Sequence, residues 1–379
     1  LLSIWSTVAQ GFSTTAKTAF VIDNTTGEIL LSKDINRPIP PASMSKLMTL
    51  WMVFESLDEG KLEMDDTFKV SRKAWKKGGS KMFLREGESV KIEDLIKGVI
   101  IQSGNDACIV LAEGLAGTEE NFAELMTIRA REIGLTNSNF KNSTGWPDPD
   151  HKMSSSDLVA LATKIREEYP SYYTIFNDLE FTWDGISQRN RNPLLSMNLG
   201  ADGLKTGYTD EAGYGLIASA KQTERRITFV ITGLKSVGQR AREAKGITTW
   251  AFKKFRLKTY FKKNGIVLEV PVWRGKKELV KISAANHVQL LIANDSKEDP
   301  KIRVVLKEPL IAPLKKGQKI NGHLVIETTS LIKEDNEKKQ LFFPIIVSED
   351  LGRGGVVNKV RTNLRTLKSN FFSLFGSNQ

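Results

Sequence analysis

One cysteine in 379 residues, Cys108, rules out an intramolecular disulfide framework and any zinc cluster built on thiolates. It neither demands nor forbids an oxidising compartment. Histidine is almost as scarce, and His151, His287 and His323 are too scattered to suggest an imidazole-built metal site. Proline and glycine, at 12 and 29, show no low-complexity bias, so a fibrous or disordered chain is not expected. No run approaches the roughly 18 to 20 unbroken apolar residues that a membrane-crossing helix requires. No metal and no organic cofactor is expected.

What is present is an ordinary globular composition, 40% hydrophobic and 26% charged, in a chain longer than one compact core usually organises. Two domains are therefore expected. Lys and Arg number 55 against 44 Asp and Glu, a net charge of +11, which points to anionic partners such as lipid headgroups or acidic polymers. The basic stretch 253 to 277 has no recognisable nucleic-acid module beside it, so nucleic acid is not an expected partner.

Along the chain, Ala19 to Ile22 and Glu28 to Ser32 read as two β-runs joined by Asp23-Asn24-Thr25-Thr26-Gly27. After Pro38-Ile39-Pro40-Pro41-Ala42 comes a helix read over 43–58 and stopped by Gly60. Its apolar residues, among them Leu47, Leu50, Trp51 and Phe54, cover every face, so it is expected to be central and buried. Two more apolar helical runs, 92–102 and 107–115, are interrupted at Ser103-Gly104-Asn105. An amphipathic helix follows over 119–133, and another opens at Ser154-Ser155-Ser156-Asp157 and ends at Pro170. Tyr214 to Ala220 and Arg226 to Leu234 form an antiparallel pair, and helix returns over 238–256. Strands at both ends enclosing helices predict an antiparallel sheet with helices on its faces rather than a parallel β-α alternation. From Tyr260 to about Val347 the texture changes to short alternating runs, the mark of a small all-β domain.

The chemistry starts at Ser43 and Lys46. At i and i+3 on a helix mouth, the hydroxyl is within reach of an amine in an apolar setting. Desolvation disfavours the ammonium form, and a neutral lysine beside serine is an activated nucleophile. The helix N-terminus also offers unpaired N–H groups for an oxyanion. By itself S-x-x-K is a weak signal. It gains weight from Ser103-Gly104-Asn105 on an interhelical loop and from Lys205-Thr206-Gly207 at the start of the β-pair, because these three motifs in this order belong together in penicillin-binding proteins and class A β-lactamases. Cys108 reads as a packing residue, and His151 as a loop histidine bonded to backbone.

With these motifs the chain resembles the low-molecular-mass penicillin-binding proteins that act as serine-type D-alanyl-D-alanine carboxypeptidases. The likeness covers nearly the whole chain and includes Pro41 to Thr49, Ser103 to Cys108, Asn142-Ser143-Thr144-Gly145, Lys205 to Thr209 and Ala212-Gly213-Tyr214. It implies an α/β (α+β) fold: a β-lactamase/transpeptidase-like domain with its antiparallel sheet flanked by helices, then a small all-β domain and a C-terminal amphipathic helix. It implies Ser43 as the acylated nucleophile, Lys46 as its base and Ser103 as the proton relay to the leaving D-alanine. Asn105 would hold the substrate backbone. Lys205 and Thr206 would bind the terminal carboxylate, and the N–H groups of Ser43 and of Tyr208, beyond Gly207, would form the oxyanion hole. Arg240, or Arg242 if the helix register differs, would add positive charge near the carboxylate. Tyr208 stands where many relatives carry His. The segment 146–151 has acids but no E-x-x-x-N pattern, so slow β-lactam deacylation, and hence inhibition, is expected.

The expected division is 1–12 as a signal remnant, 13–258 as the peptidase domain, 259–350 as the β-rich domain and 351–379 as an amphipathic membrane-anchor tail. An alternative for the first residues is a docked N-terminal segment. The tail carries Arg353, Lys359, Arg361, Arg365 and Lys368 and no acid, with Val360, Leu364, Leu367, Phe371 and Leu374 at helical spacing. Expected partners are peptidoglycan stem peptides ending in D-Ala-D-Ala, β-lactams as covalent inhibitors, and an anionic membrane surface met by residues 357–376. The implied location is the periplasm, peripherally attached to the outer face of the inner membrane. Competing readings are a D,D-endopeptidase, a class A-like β-lactamase and a catalytically idle wall-binding protein.

Overall fold

The computed structural model describes residues 11–296, 300–331 and 338–355, in two compact units that divide between Lys254 and Phe255. The first ten residues and nearly all of the proposed tail, 356–379, lie outside the described residues.

The first unit is built on a five-stranded sheet in the spatial order Glu28–Lys33, Thr18–Asp23, Arg225–Leu234, Gly213–Gln222, Ala201–Thr209. Every neighbouring pair is antiparallel, as the strand-helix-strand order predicted. Thr18–Asp23 pairs with Arg225–Leu234 across some two hundred residues, for example Val21 opposite Phe229, so the sheet closes only when both ends of the unit meet. The middle strands bury continuous runs because helices cover them: Val237–Lys254 packs on Gly213–Gln222 and Arg225–Leu234, and Ser155–Glu168 packs on Arg225–Leu234 and Thr18–Asp23. Ser154 caps the latter helix by accepting from the Asp157 N–H. Pro170, expected to end it, also begins a further short helix at its first position, where the missing N–H costs nothing.

The helix Lys46–Asp58 runs through the centre of this unit with Leu47, Leu50, Trp51 and Phe54 buried. It does not start at Ser43. Ala42–Ser45 forms a 3-10 turn ahead of it, entered through Ala42 at φ 50°, a left-handed conformation unusual for a residue with a Cβ. The expected helix over 92–102 is two pieces: Ile92–Lys97 is α-helical and Gly98–Gln102 is a π-turn that ends at Ser103, also left-handed at φ 61°. Helix resumes at Asn105–Ala116. The Lys205-Thr206-Gly207 motif lies within Ala201–Thr209, a strand of its own at the sheet edge, and not at the start of the following pair.

From Phe255 onward all the regular structure among the described residues is β. A six-stranded sheet has the order Lys301–Leu306, Lys319–Thr329, Lys338–Val347, Leu279–Ala284, Ile266–Trp273, Leu310–Ile311, and Phe255–Phe261 pairs with Val288–Ala293. Val272, Ile282, Leu290, Leu324, Ile326 and Val347 are in its separate core. Among the described residues no helix is long and apolar enough to cross a membrane.

Candidate active site

Four segments meet beside the centre of the first unit. The Ala42–Ser45 turn leaves Ser43 half-buried while its neighbours are buried. Lys46, in the first turn of the central helix, has no exposed surface. Its Nζ lies 3.0 Å from Ser43 Oγ, 2.8 Å from Asn105 Oδ1 and 2.5 Å from the Thr144 carbonyl. Two of these partners are carbonyl oxygens and can only accept, so they take two N–H groups. The third direction faces a hydroxyl that can donate. A neutral amine with its lone pair on Ser43 satisfies all three contacts. Burial lowers the Lys46 pKa to about 8, with the positive charges of Arg191 and Lys77 acting in the same direction.

Ser103 is buried, and the Lys205 ammonium donates to its Oγ at 2.8 Å. Burial, and after it the neighbouring cations, holds Lys205 well below the ordinary lysine range. Asn105 is spanned between two parts of the fold, since its amide nitrogen donates to Gly78 O at 2.9 Å while its oxygen serves Lys46. Asp106 anchors the same corner: its carboxylate accepts from the N–H groups of Met82, Phe83, Leu84 and Ala107. The left-handed Ser103 thus lies between a π-turn and a helix start that Asp106 ties to the backbone of Met82, Phe83 and Leu84.

Two glycines allow these segments to touch. A Cβ on Gly207 would lie 3.0 Å from Pro41 O and 3.2 Å from Ala42 Cβ, so a side chain there would push the Lys205-Thr206-Gly207 strand and the Ser43 turn apart by a few tenths of an ångström. Gly145 has φ 77°, and a Cβ on it would overlap the Ala42 carbonyl oxygen. Glu119, buried, accepts from Ser143 N and Oγ, and Thr49 donates to Ser143 O, which fixes the loop that presents the Thr144 carbonyl to Lys46.

The family model described as D-alanyl-D-alanine carboxypeptidase matches residues 6–236. The chain belongs to this family. A second model, described as penicillin-binding protein 5, C-terminal domain, matches residues 255–353 of the carboxypeptidase. The enzyme is 36% identical over 356 residues to D-alanyl-D-alanine carboxypeptidase DacC of Escherichia coli, covering 92% of this chain and 87% of that protein. It is 33% identical over 359 residues to carboxypeptidase DacF of Bacillus subtilis, covering 92% and 89%. Among solved structures, penicillin binding protein 5 from Haemophilus influenzae superposes with a TM-score of 0.75 at 33% identity, over 91% of this chain and 99% of that one.

The carboxypeptidase joins Ser43, Lys46 and Asn105 in one hydrogen-bonded group and Ser103 with Lys205 in a second, with buried Thr206 beside Lys205. Tyr208 is 48% exposed, with its hydroxyl donating to Asp210 at 2.6 Å. Arg240 and Arg242 are separated by the helix itself: two residues are about 200° apart around an α-helix. Arg240 is buried on the stripe with Ala244, Ile247 and Ala251 that faces the sheet. Arg242 lines a cleft on the other side with Lys245, Thr249 and Trp250. Cys108 is fully buried, and burial pushes its thiol up to about 12. His151 Nδ1 accepts from Lys141 N, and burial lowers its pKa to about 4.

Sequence reasoning assigned no role to Arg191, which donates to Ser80 Oγ at 2.6 Å and whose charge acts on both site lysines. It sits in irregular chain with no local pattern to mark it. Glu119 and Asp106 were likewise missed, because a carboxylate in the first turn of a helix reads as ordinary dipole chemistry.

Proposed function

We propose that Ser43, Lys46, Ser103, Asn105, Lys205, Thr206, Gly207, Tyr208 and Arg240 carry the carboxypeptidase reaction on peptidoglycan stem peptides ending in D-Ala-D-Ala. Ser43 Oγ attacks the carbonyl of the penultimate D-alanine as neutral Lys46 takes its proton. The backbone N–H groups of Ser43 and Tyr208 hold the oxyanion. As the C–N bond breaks, Ser103 relays a proton to the amine of the departing D-alanine, giving its own and regaining the one Lys46 took from Ser43, so that Lys46 is neutral again. Lys205, Thr206 and Arg240 bind the terminal carboxylate, and Asn105 aligns the peptide. Water then attacks the acyl-enzyme ester, giving a proton to neutral Lys46, which returns it to Ser43 Oγ as the acid product leaves. The observation that carries this reading is the set of three contacts around Lys46 Nζ, two of them acceptors only.

Brief exposure to benzylpenicillin followed by mass spectrometry tests it. The expected result is one persistent adduct on the peptide containing Ser43. Rapid turnover without an adduct would mean a β-lactamase, and faster cleavage of a crosslinked dimer than of a monomeric pentapeptide would mean an endopeptidase.

The reading includes a periplasmic enzyme attached at the outer face of the inner membrane through residues 357–376. Its support is the sequence pattern: basic residues near an anionic surface contribute on the order of 1 kcal/mol each, and the Val, Leu and Phe row adds a term from buried apolar area. Deletion from residue 356 onward, which spares Leu351 in the β-rich core where it pairs with Leu314, is expected to release the enzyme from anionic vesicles and to leave hydrolysis of a soluble pentapeptide unchanged. Equal co-sedimentation of full-length and truncated protein would sink the anchor.

A further inference from the structure

Arg240 poses a problem that the site's main hydrogen bonds do not answer. Its side chain is only 6% exposed, and its Nε has no hydrogen-bond partner among the described residues. A buried guanidinium without a full set of acceptors is costly, and its direction has to be set by something else. That role falls to an aromatic ring. The Arg240 guanidinium carbon lies 5.8 Å from the ring centroid of Tyr214, within cation-π range.

Tyr214 is placed by the sheet. It is the cross-strand partner of Tyr208 in the ladder between Ala201–Thr209 and Gly213–Gln222, and the two rings stack with centroids 4.2 Å apart and planes at 29°. The ladder sets side chains of opposed residues on one face of the sheet. A continuous series therefore runs from Asp210 through the Tyr208 hydroxyl and ring to Tyr214 and on to Arg240. Its first members follow directly on Lys205-Thr206-Gly207, and its last reaches the helix Val237–Lys254 from the sheet side.

We propose that Tyr214 is a positioning residue for carboxylate recognition: its ring joins the strand that carries Lys205 to Arg240 and holds the guanidinium at the carboxylate end of the site. The inference rests on the reading of Lys205 and Arg240 as the carboxylate-binding groups and adds to it how the arginine is held. Tyr214 touches neither Ser43 nor Lys46 in this scheme, so it acts on which substrates are accepted and not on bond formation.

The test compares acylation rates by benzylpenicillin and by its methyl ester, which lacks the free carboxylate. Their ratio measures carboxylate recognition, and the ester rate is an internal check that Ser43 and Lys46 still work. Tyr214→Leu is expected to lower the ratio about threefold to tenfold and to leave the ester rate within about twofold. Tyr214→Phe keeps the ring and is expected to keep the ratio. In an Arg240→Gln background, Tyr214→Leu is expected to change the ratio no further. An unchanged ratio in Tyr214→Leu, or a collapse of the ester rate together with the acid rate, overturns the positioning role. If the unmodified enzyme does not distinguish acid from ester, the carboxylate reading itself fails and the inference with it.

Discussion

Ser43→Ala is expected to release no D-alanine and to take no penicillin label, a loss on the order of 10⁴-fold or more in rate, because residual catalysis without the nucleophile is confined to binding and oxyanion contacts. The fold is expected to survive. Ser43 Oγ makes its contact with Lys46 Nζ at 3.0 Å, and with the hydroxyl gone that amine keeps Asn105 Oδ1 and the Thr144 carbonyl. A half-buried side chain shortened by one atom typically changes stability by a few tenths of a kcal/mol. Thermal melting of the variant should match the unmodified protein while labelling disappears. Label appearing on the peptide with Ser103 would show that the two serines had been given each other's roles.

The second large effect is at the base. Lys46→Ala is expected to slow acylation by about 10³-fold, in the middle of the range for general base catalysis. The pH profile carries more information than the magnitude. An ammonium cannot accept the Ser43 proton, so acylation should rise with pH as Lys46 loses its own proton and level off above about 8. The variant should lose the rising limb. A rising limb that persists in Lys46→Ala would assign proton removal to another group.

Much of this was legible because the chemistry lies in short motifs. Ser43 and Lys46 share a turn, and Ser103 and Asn105 sit at a break that glycine punctuates, so local spacing was enough to name them. The sheet was legible as a type but not as a topology. Nothing near Val21 announces that its partner is Phe229, since long-range register depends on both faces of a closed sheet. The same limit hid the strand that carries Lys205. Residues 201–209 include Asp202, Gly203 and Gly207, a poor strand signal, and they hold an extended edge because their partner 213–222 and Asn192, which donates to Gly203 O, hold them there. The break at Gly98–Gln102 was equally invisible, because a π-turn has the same apolar content as an α-helix.

The closure of the sheet by its first and last strands has a consequence for the life of the chain before it is an enzyme. Ser43 is supplied early and Lys205 late, and the strand bearing Lys205 is aligned through Gly213–Gln222 and Arg225–Leu234 to Thr18–Asp23. A nascent chain that stops short of Leu234 can form the central helix and the Ser43 turn, but it has no completed sheet on which to fix the carboxylate-binding edge. Contacts this distant in sequence form late, after loop closure across the whole unit. Acylation by a penicillin thus reports a finished domain, and an unfinished one has no hydrolytic activity to restrain.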